Sequence, residues 1–176
     1  LGQAYSDGIK GVVSKDVAKA VEWYQKAATQ GHVEAQFKIG GIYYEGKGVP
    51  KSTEKAFEWW HKAATQGHIR TQFLLGFLYY EGKDVPKSAE KAFEWWQKAA
   101  SQGDAQAQAN LGWMYVGEDG VPKNLVLAYA WSNLAAAQGI TNAIKNREIF
   151  AKQLTSHQMT EAQRLASNWK KGDILR

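Results

Sequence analysis

Apolar positions recur along the chain at helical spacing, in pairs of stripes separated by a breaker. Ala35, Ile39 and Tyr43 fall four apart, and Ala56, Trp59 or Trp60, Ala63 and Ala64 form a second stripe of the same period. Between them Gly46-Lys47-Gly48-Val49-Pro50 ends any helix. The pattern predicts two helices and a loop, and it then repeats. Gly31, Gly67, Gly103 and Gly139 are 36 residues apart, as are Trp23, Trp59, Trp95 and Trp131. Gly40, Gly76 and Gly112 keep the same period, and so do Pro50, Pro86 and Pro122. Segments 40–67 and 76–103 differ at six of 28 positions. A fixed period of this length marks a repeat architecture.

The helix ends are written into each unit. Asp16, Ser52, Ser88 and Asn124 stand where the second helix opens, with side-chain oxygens suited to its free N–H groups. The Gly31 series closes that helix in the left-handed cap conformation, which glycine enters without penalty. Asp104 is placed to cap the next first helix, where His32 and His68 stand in earlier units. The mid-helix glycines of the Gly40 series each cost about 1 kcal/mol in propensity. Close approach of the paired helices is the expected compensation.

The run Ile39-Gly40-Gly41-Ile42-Tyr43-Tyr44-Glu45-Gly46-Lys47-Gly48-Val49-Pro50-Lys51 resembles the Sel1-like repeat, a relative of the tetratricopeptide repeat with a longer internal loop. Lys55-Ala56-Phe57-Glu58-Trp59-Trp60 and Lys62-Ala63-Ala64-Thr65-Gln66-Gly67 carry the likeness through the second helix. The resemblance implies an all-α fold: a right-handed α/α superhelical solenoid of helix-turn-helix repeats. It assigns residues 1–139 to four units (1–31 partial, 32–67, 68–103 and 104–139) and 140–176 to C-terminal capping helices. The first unit departs from the pattern at Val13, where proline is expected. The fourth has Gly117-Glu118 in place of Glu-Gly, and Ser132 in place of the second Trp.

A solenoid unit cannot bury its own apolar face, so each end needs a cover. Thr155 followed by Gln158 reads as a capping box, and Met159, Ala162, Leu165, Ala166 and Trp169 share one face of the helix behind it. That helix is expected to cover the last repeat. Leu1-Gly2 aligns with Ile39-Gly40 in mid-helix, so further sequence upstream, with more helix, more repeats or a signal peptide, is expected. An open N-terminal end also offers a route to self-association.

Composition narrows the classes. With 176 residues, 44% hydrophobic and 22% charged, the chain is neither disordered nor collagen-like. Zero cysteines exclude a disulfide scaffold, a thiolate metal site and a cysteine nucleophile. No apolar run reaches the roughly 18 residues a membrane span needs. The net charge of +5 suggests acidic partners until it is divided. Residues 1–139 carry 15 basic and 14 acidic side chains, whereas 140–176 carry seven and three. The excess belongs to the terminal cap, so nucleic acid is not the expected partner. Contact of the cap with anionic lipid is a minor alternative.

Function in such an array is expected on the surface of the first helices. Positions flanking the packing stripe give Phe37, Tyr44, Glu45, Arg70, Phe73, Phe77, Tyr80, Glu81 and Trp113 as candidate partner-binding residues, with Glu34, Gly41, Gln106, Ala109 and Val116 beside them. The aligned series Gly41, Phe77, Trp113 changes greatly in volume on a near-identical background, which a core position does not tolerate. An aromatic, nearly neutral groove of this kind fits a protein or peptide partner. Trp59 and Trp95 lie on the packing stripe and read as core. Core is also the better reading of Trp60 and Trp96, although their position allows half exposure.

Catalytic chemistry is not legible. His32 and His68 are one repeat period apart, His61 becomes Gln97 in the next unit, and Ser156-His157 opens a capped helix. No His-x-x-x-His pair is present, and Gly46-Lys47-Gly48 lacks the Lys-Ser/Thr of a phosphate loop. No enzyme activity, metal or cofactor is expected. The resemblance implies a bacterial interaction protein, often exported to the periplasm or envelope, in regulation, host contact or neutralisation of a secreted effector. Two other classes remain beside it: an enzyme acting on β-lactams, as attributed to cysteine-rich relatives, and a self-assembling scaffold.

Overall fold

The structure, a computed structural model, describes residues 17–117 and 121–175. Among them every regular element is an α-helix: α1 Val17–Thr29, α2 Val33–Glu45, α3 Thr53–Thr65, α4 Ile69–Glu81, α5 Ala89–Ser101, α6 Ala105–Met114, α7 Leu125–Ala137, α8 Thr141–Ala151 and α9 Ser156–Asn168. They belong to two compact units divided between Thr71 and Gln72. Asp16, Val13, Glu118 and the opening residues of the first repeat lie outside the described residues.

Capping follows the residue types. The backbone N–H groups of Lys55 and Lys91 donate to Ser52 Oγ and Ser88 Oγ, both at 3.2 Å. Leu127 donates to Asn124 Oδ1 at 3.1 Å, and Ala107 to Asp104 Oδ1 at 2.8 Å. His32 opens α2 without a side-chain cap bond. Gly31, Gly67, Gly103 and Gly139 close the second helices with φ between 86° and 95°, a region closed to other residues without strain. The fourth repeat differs: α6 stops at Met114, and Gly117 (φ 94°) makes the turn that Gly46 and Gly82 make one position later in their units.

In the first unit, Ala20, Tyr24 and Ala28 of α1 pack with Ala35 and Ile39 of α2 and Trp59 of α3. Trp60 is also buried, against Gly40, and its indole N–H donates to the Phe37 carbonyl at 3.2 Å. Neither Trp60 nor Trp96 is half exposed. Trp23, at the Trp59 position, is 39% exposed, under the Lys26 ammonium. Trp59 closes on the second helix of the preceding repeat, and no such helix precedes α1 among the described residues.

In the second unit Trp96 covers Gly76 in the same way and donates to the Phe73 carbonyl at 3.2 Å. In the fourth repeat the nearest neighbours include backbone. There Ser132 replaces the tryptophan, and a Cβ on Gly112 would meet the Ala128 carbonyl at 3.0 Å and the Ser132 nitrogen at 3.2 Å. At Gly40 and Gly76 the vacated space is filled by an indole ring instead. Adjacent glycines in α2 therefore respond oppositely to substitution. A Cβ on Gly40 would stand 2.5 Å from Trp60 Nε1, whereas one on Gly41 meets nothing within 4 Å. Gly41→Ala is expected to raise the unfolding free energy by about 1 kcal/mol through helix propensity. Gly40→Ala is expected to lower it by about 1–2 kcal/mol through overpacking. Urea unfolding of both variants checks the change of sign.

A buried polar ladder accompanies the apolar core. Gln36 donates to the Ala28 carbonyl (3.2 Å) and accepts from Gln66 Nε2 (2.7 Å). Gln108 repeats this with Ala100 (3.2 Å) and Gln138 (2.9 Å), and Gln72 accepts from Gln102 (2.7 Å). Each first helix thus satisfies a helix-end carbonyl of the repeat before it or grips its own second helix, and the buried amides have the partners burial demands. Gln108→Ala is expected to cost about 2–3 kcal/mol by cavity and lost bonds. The exposed neighbour Gln106→Ala is expected to cost less than about 0.5 kcal/mol in the same urea titration.

The C-terminal helices complete the second unit. Thr155 and Gln158 form both bonds of a capping box at the start of α9. Ala162 and Ala166 are buried, Met159 packs on the cluster of Tyr129 and Phe150, and the Trp169 ring meets Trp131 edge-on at 6.5 Å. The Gly172 N–H donates to the Ser101 carbonyl at 2.7 Å, tying the tail to the end of α5.

Candidate partner-binding face

The residues expected on the first helices separate into packed and open positions. In the first unit Phe37 is partly buried, with the His68 ring centroid 5.1 Å away and the Arg70 guanidinium carbon 5.1 Å from its own centroid. Arg70 is exposed and its cation lies over the aromatic ring, so the two present one combined surface. Tyr44 is half-buried on Trp60 at 5.3 Å and covered by the Lys51 ammonium. Glu45 is exposed and paired with Lys47, and Glu34 bonds His68 Nε2 at 3.2 Å.

In the second unit Phe77 is 43% exposed and Trp113 is 45% exposed, although both are large and apolar. Phe73 is half-buried, and Tyr80 stacks at 5.2 Å on Trp96. Glu81 is exposed. Tyr80 and Trp113 line a single cleft of about 310 Å³ with Trp96, Ala109, Asn110, Asn142 and Asn146. Ala109 is buried against Ala135 and Ala143 at the base of this cleft. One neighbouring expectation is corrected: Val116 packs on the cluster of Tyr129 and Phe150, beyond the early end of α6 at Met114.

Sequence reasoning missed three residues of this face. Ile149 of α8 is 52% exposed and stands one repeat period beyond Trp113. Asn110 and Asn146 are likewise 36 residues apart and border the same cleft. The signal was the repeat period itself, which continues into α8: Ile140 opens that helix where Asp104 opens α6, and Ala143 is buried as Ala107 is. Asn110 and Trp113 are three residues apart on α6, as Asn146 and Ile149 are on α8, so each pair shares a helix face.

Perturbed titration does not mark a reaction centre. Glu22 and Glu161 are held below the usual carboxylate range by bonds to Lys26 and Arg164, on exposed helix surfaces, and burial pushes the Tyr115 phenol up. Among the described residues no group of three or more His, Asp and Glu side chains is placed to hold a metal ion, and no helix is long and apolar enough to cross a membrane.

The fold recurs in solved structures. The c5321 protein, a protective antigen present in uropathogenic Escherichia coli strains and displaying an SLR fold, aligns over 96% of the chain at 37% identity and a TM-score of 0.77. The chain spans 36% of that protein's length. A Sel1 repeat protein from Oxalobacter formigenes aligns over 74% of the chain and 98% of its own at 35% identity and a TM-score of 0.69. Pseudomonas aeruginosa PA5086 shares the fold over 96% of the chain and 67% of its own at 23% identity and a TM-score of 0.50. No curated protein matches the chain. The Sel1 repeat pattern itself matches residues 1–32, 33–68, 69–104 and 105–140. With four such repeats in an all-α solenoid fold, the chain belongs to the Sel1 repeat family.

Proposed function

We propose that this chain is a protein-interaction module and that the first helices carry its binding side chains. In the second unit Phe77, Trp113 and Ile149 are the anchors, Phe73 and Tyr80 flank them, and Glu81 orients the partner. Phe37, Tyr44, Glu45 and Arg70 form the corresponding surface of the first unit. The observation that carries the reading is the open column at one repeat position. This position holds Gly41, Phe77, Trp113 and Ile149 in successive units, and the three large residues are left exposed. Large apolar side chains in a well-packed repeat gain nothing from exposure, and aromatic anchors of this kind supply most of the affinity at interfaces.

The test is selection of a displayed random twelve-residue peptide library on the whole chain, followed by titration calorimetry of the enriched peptides. Binding is expected to be lost on Trp113→Ser and Phe77→Ser and retained on Lys145→Ser, an exposed cap substitution. Enriched peptides indifferent to Trp113 and Phe77 contradict the reading.

A further inference from the structure

The cleft beside Trp113 carries a second kind of information. Among the described residues the side-chain amides of Asn110 and Asn146 have no hydrogen-bond partner, although both are half-buried at the wall of the cleft. Asn142 differs, since its Oδ1 already accepts from the Ala143 N–H at 2.9 Å. Each free carboxamide offers N–H donors and a carbonyl acceptor side by side, the complement of one peptide group. Covering them with a ligand that lacks free polar groups leaves buried amides unsatisfied, which is costly. A docked helix is such a ligand, because its backbone N–H and C=O groups are spent on its own turns.

Spacing then selects among extended chains. Asn110 and Asn146 occupy the same position on α6 and α8, which pack against each other. Packed helices lie about 8–10 Å apart. A polyproline II segment turns once every three residues and advances about 9 Å in doing so, with its backbone groups unpaired. Successive equivalent peptide groups therefore meet successive asparagines. A β-strand presents the same edge every two residues, about 7 Å, and falls out of step with the rungs. Tyr80 and Trp113 supply the aromatic walls that such segments dock against.

We infer that the cleft binds a partner segment in the polyproline II conformation, its backbone held by Asn110 and Asn146 and every third side chain lodged against Tyr80 and Trp113. This rests on the binding face proposed above. The peptides enriched on the whole chain serve as probes, each made also in three forms N-methylated at every third amide, one form per register. One register is expected to lose about tenfold or more in affinity while the other two bind normally. Asn110→Ala and Asn146→Ala are each expected to weaken binding about tenfold with unchanged melting temperature. Asn110→Asp, which keeps shape and acceptor but removes the donors, is expected to behave as Asn110→Ala does. Circular dichroism that shows helix gained on binding, equal loss in all three registers, or Asn variants that bind as wild type overturns the inference. If those results come with affinity still lost on Trp113→Ser, the binding face stands without it. If no enriched peptide depends on Trp113, both fall.

Discussion

Trp96→Ala is expected to remove about 3–5 kcal/mol from the stability of the second unit, a large share of the 5–15 kcal/mol typical of a domain. Three losses coincide at this side chain. The ring leaves a cavity over Gly76, which has no Cβ to narrow it. The Phe73 carbonyl loses its indole donor, and Tyr80 loses the ring it stacks on. The fourth repeat shows what relaxation requires. Ser132 is accommodated opposite Gly112 only where the backbones themselves close to contact. Helices α4 and α5 are set at the separation an indole demands, so they recover only part of the loss. Gly76→Leu alone is expected to destabilise by overpacking against Trp96, while Gly76→Leu with Trp96→Ala recovers part of the loss, since the new side chain enters the vacated space. Urea titrations of the two single variants and the double give the coupling energy. Strict additivity contradicts the pairing of Gly76 with Trp96.

Trp113 lines the same cleft, yet the opposite outcome is expected there. Nearly half its surface is exposed, and among the described residues its indole N–H has no hydrogen-bond partner. Replacing it with serine removes an anchor and leaves the packing of α6 on α7 in place. At least 30-fold weaker partner binding is expected, equivalent to about 2 kcal/mol, with less than about 1 kcal/mol lost in stability. Phe77→Ser is expected to follow the same division.

Much of the fold was legible because its signals are local and repeated. The 36-residue period, the Ser52, Ser88 and Asn124 caps and the left-handed glycines are each decided within one unit. The capping box at Thr155 is equally local. What escaped was decided between helices. Adjacent tryptophans stand about 100° apart on a helix, so one stripe does not account for both. Trp59 is buried because it faces α1 and α2, and Trp60 because it fills the gap over Gly40. The glutamines of the ladder resemble a solvated face in sequence. Only their pairing across helices shows that Gln36, Gln72 and Gln108 are buried.

The proposed binding face shows the same limit. Phe77 and Trp113 were recognisable from the change of side-chain volume at one repeat position, and both are exposed. Val116 was misplaced because α6 ends three residues earlier in its unit than α2 or α4, where Gly117 precedes Glu118. Ile149 and Asn146 were hidden by treating the cap as separate from the array, although α8 opens in repeat register.

The most direct test of the central claim, that the first helices display a binding column rather than part of the core, is the paired measurement of stability and affinity on Phe77→Ser and Trp113→Ser. Cooperative unfolding within about 1 kcal/mol of the wild type, together with at least 30-fold weaker binding of the selected peptides, is the expected result. Collapse of the fold in either variant, or full stability with undiminished binding, would contradict it.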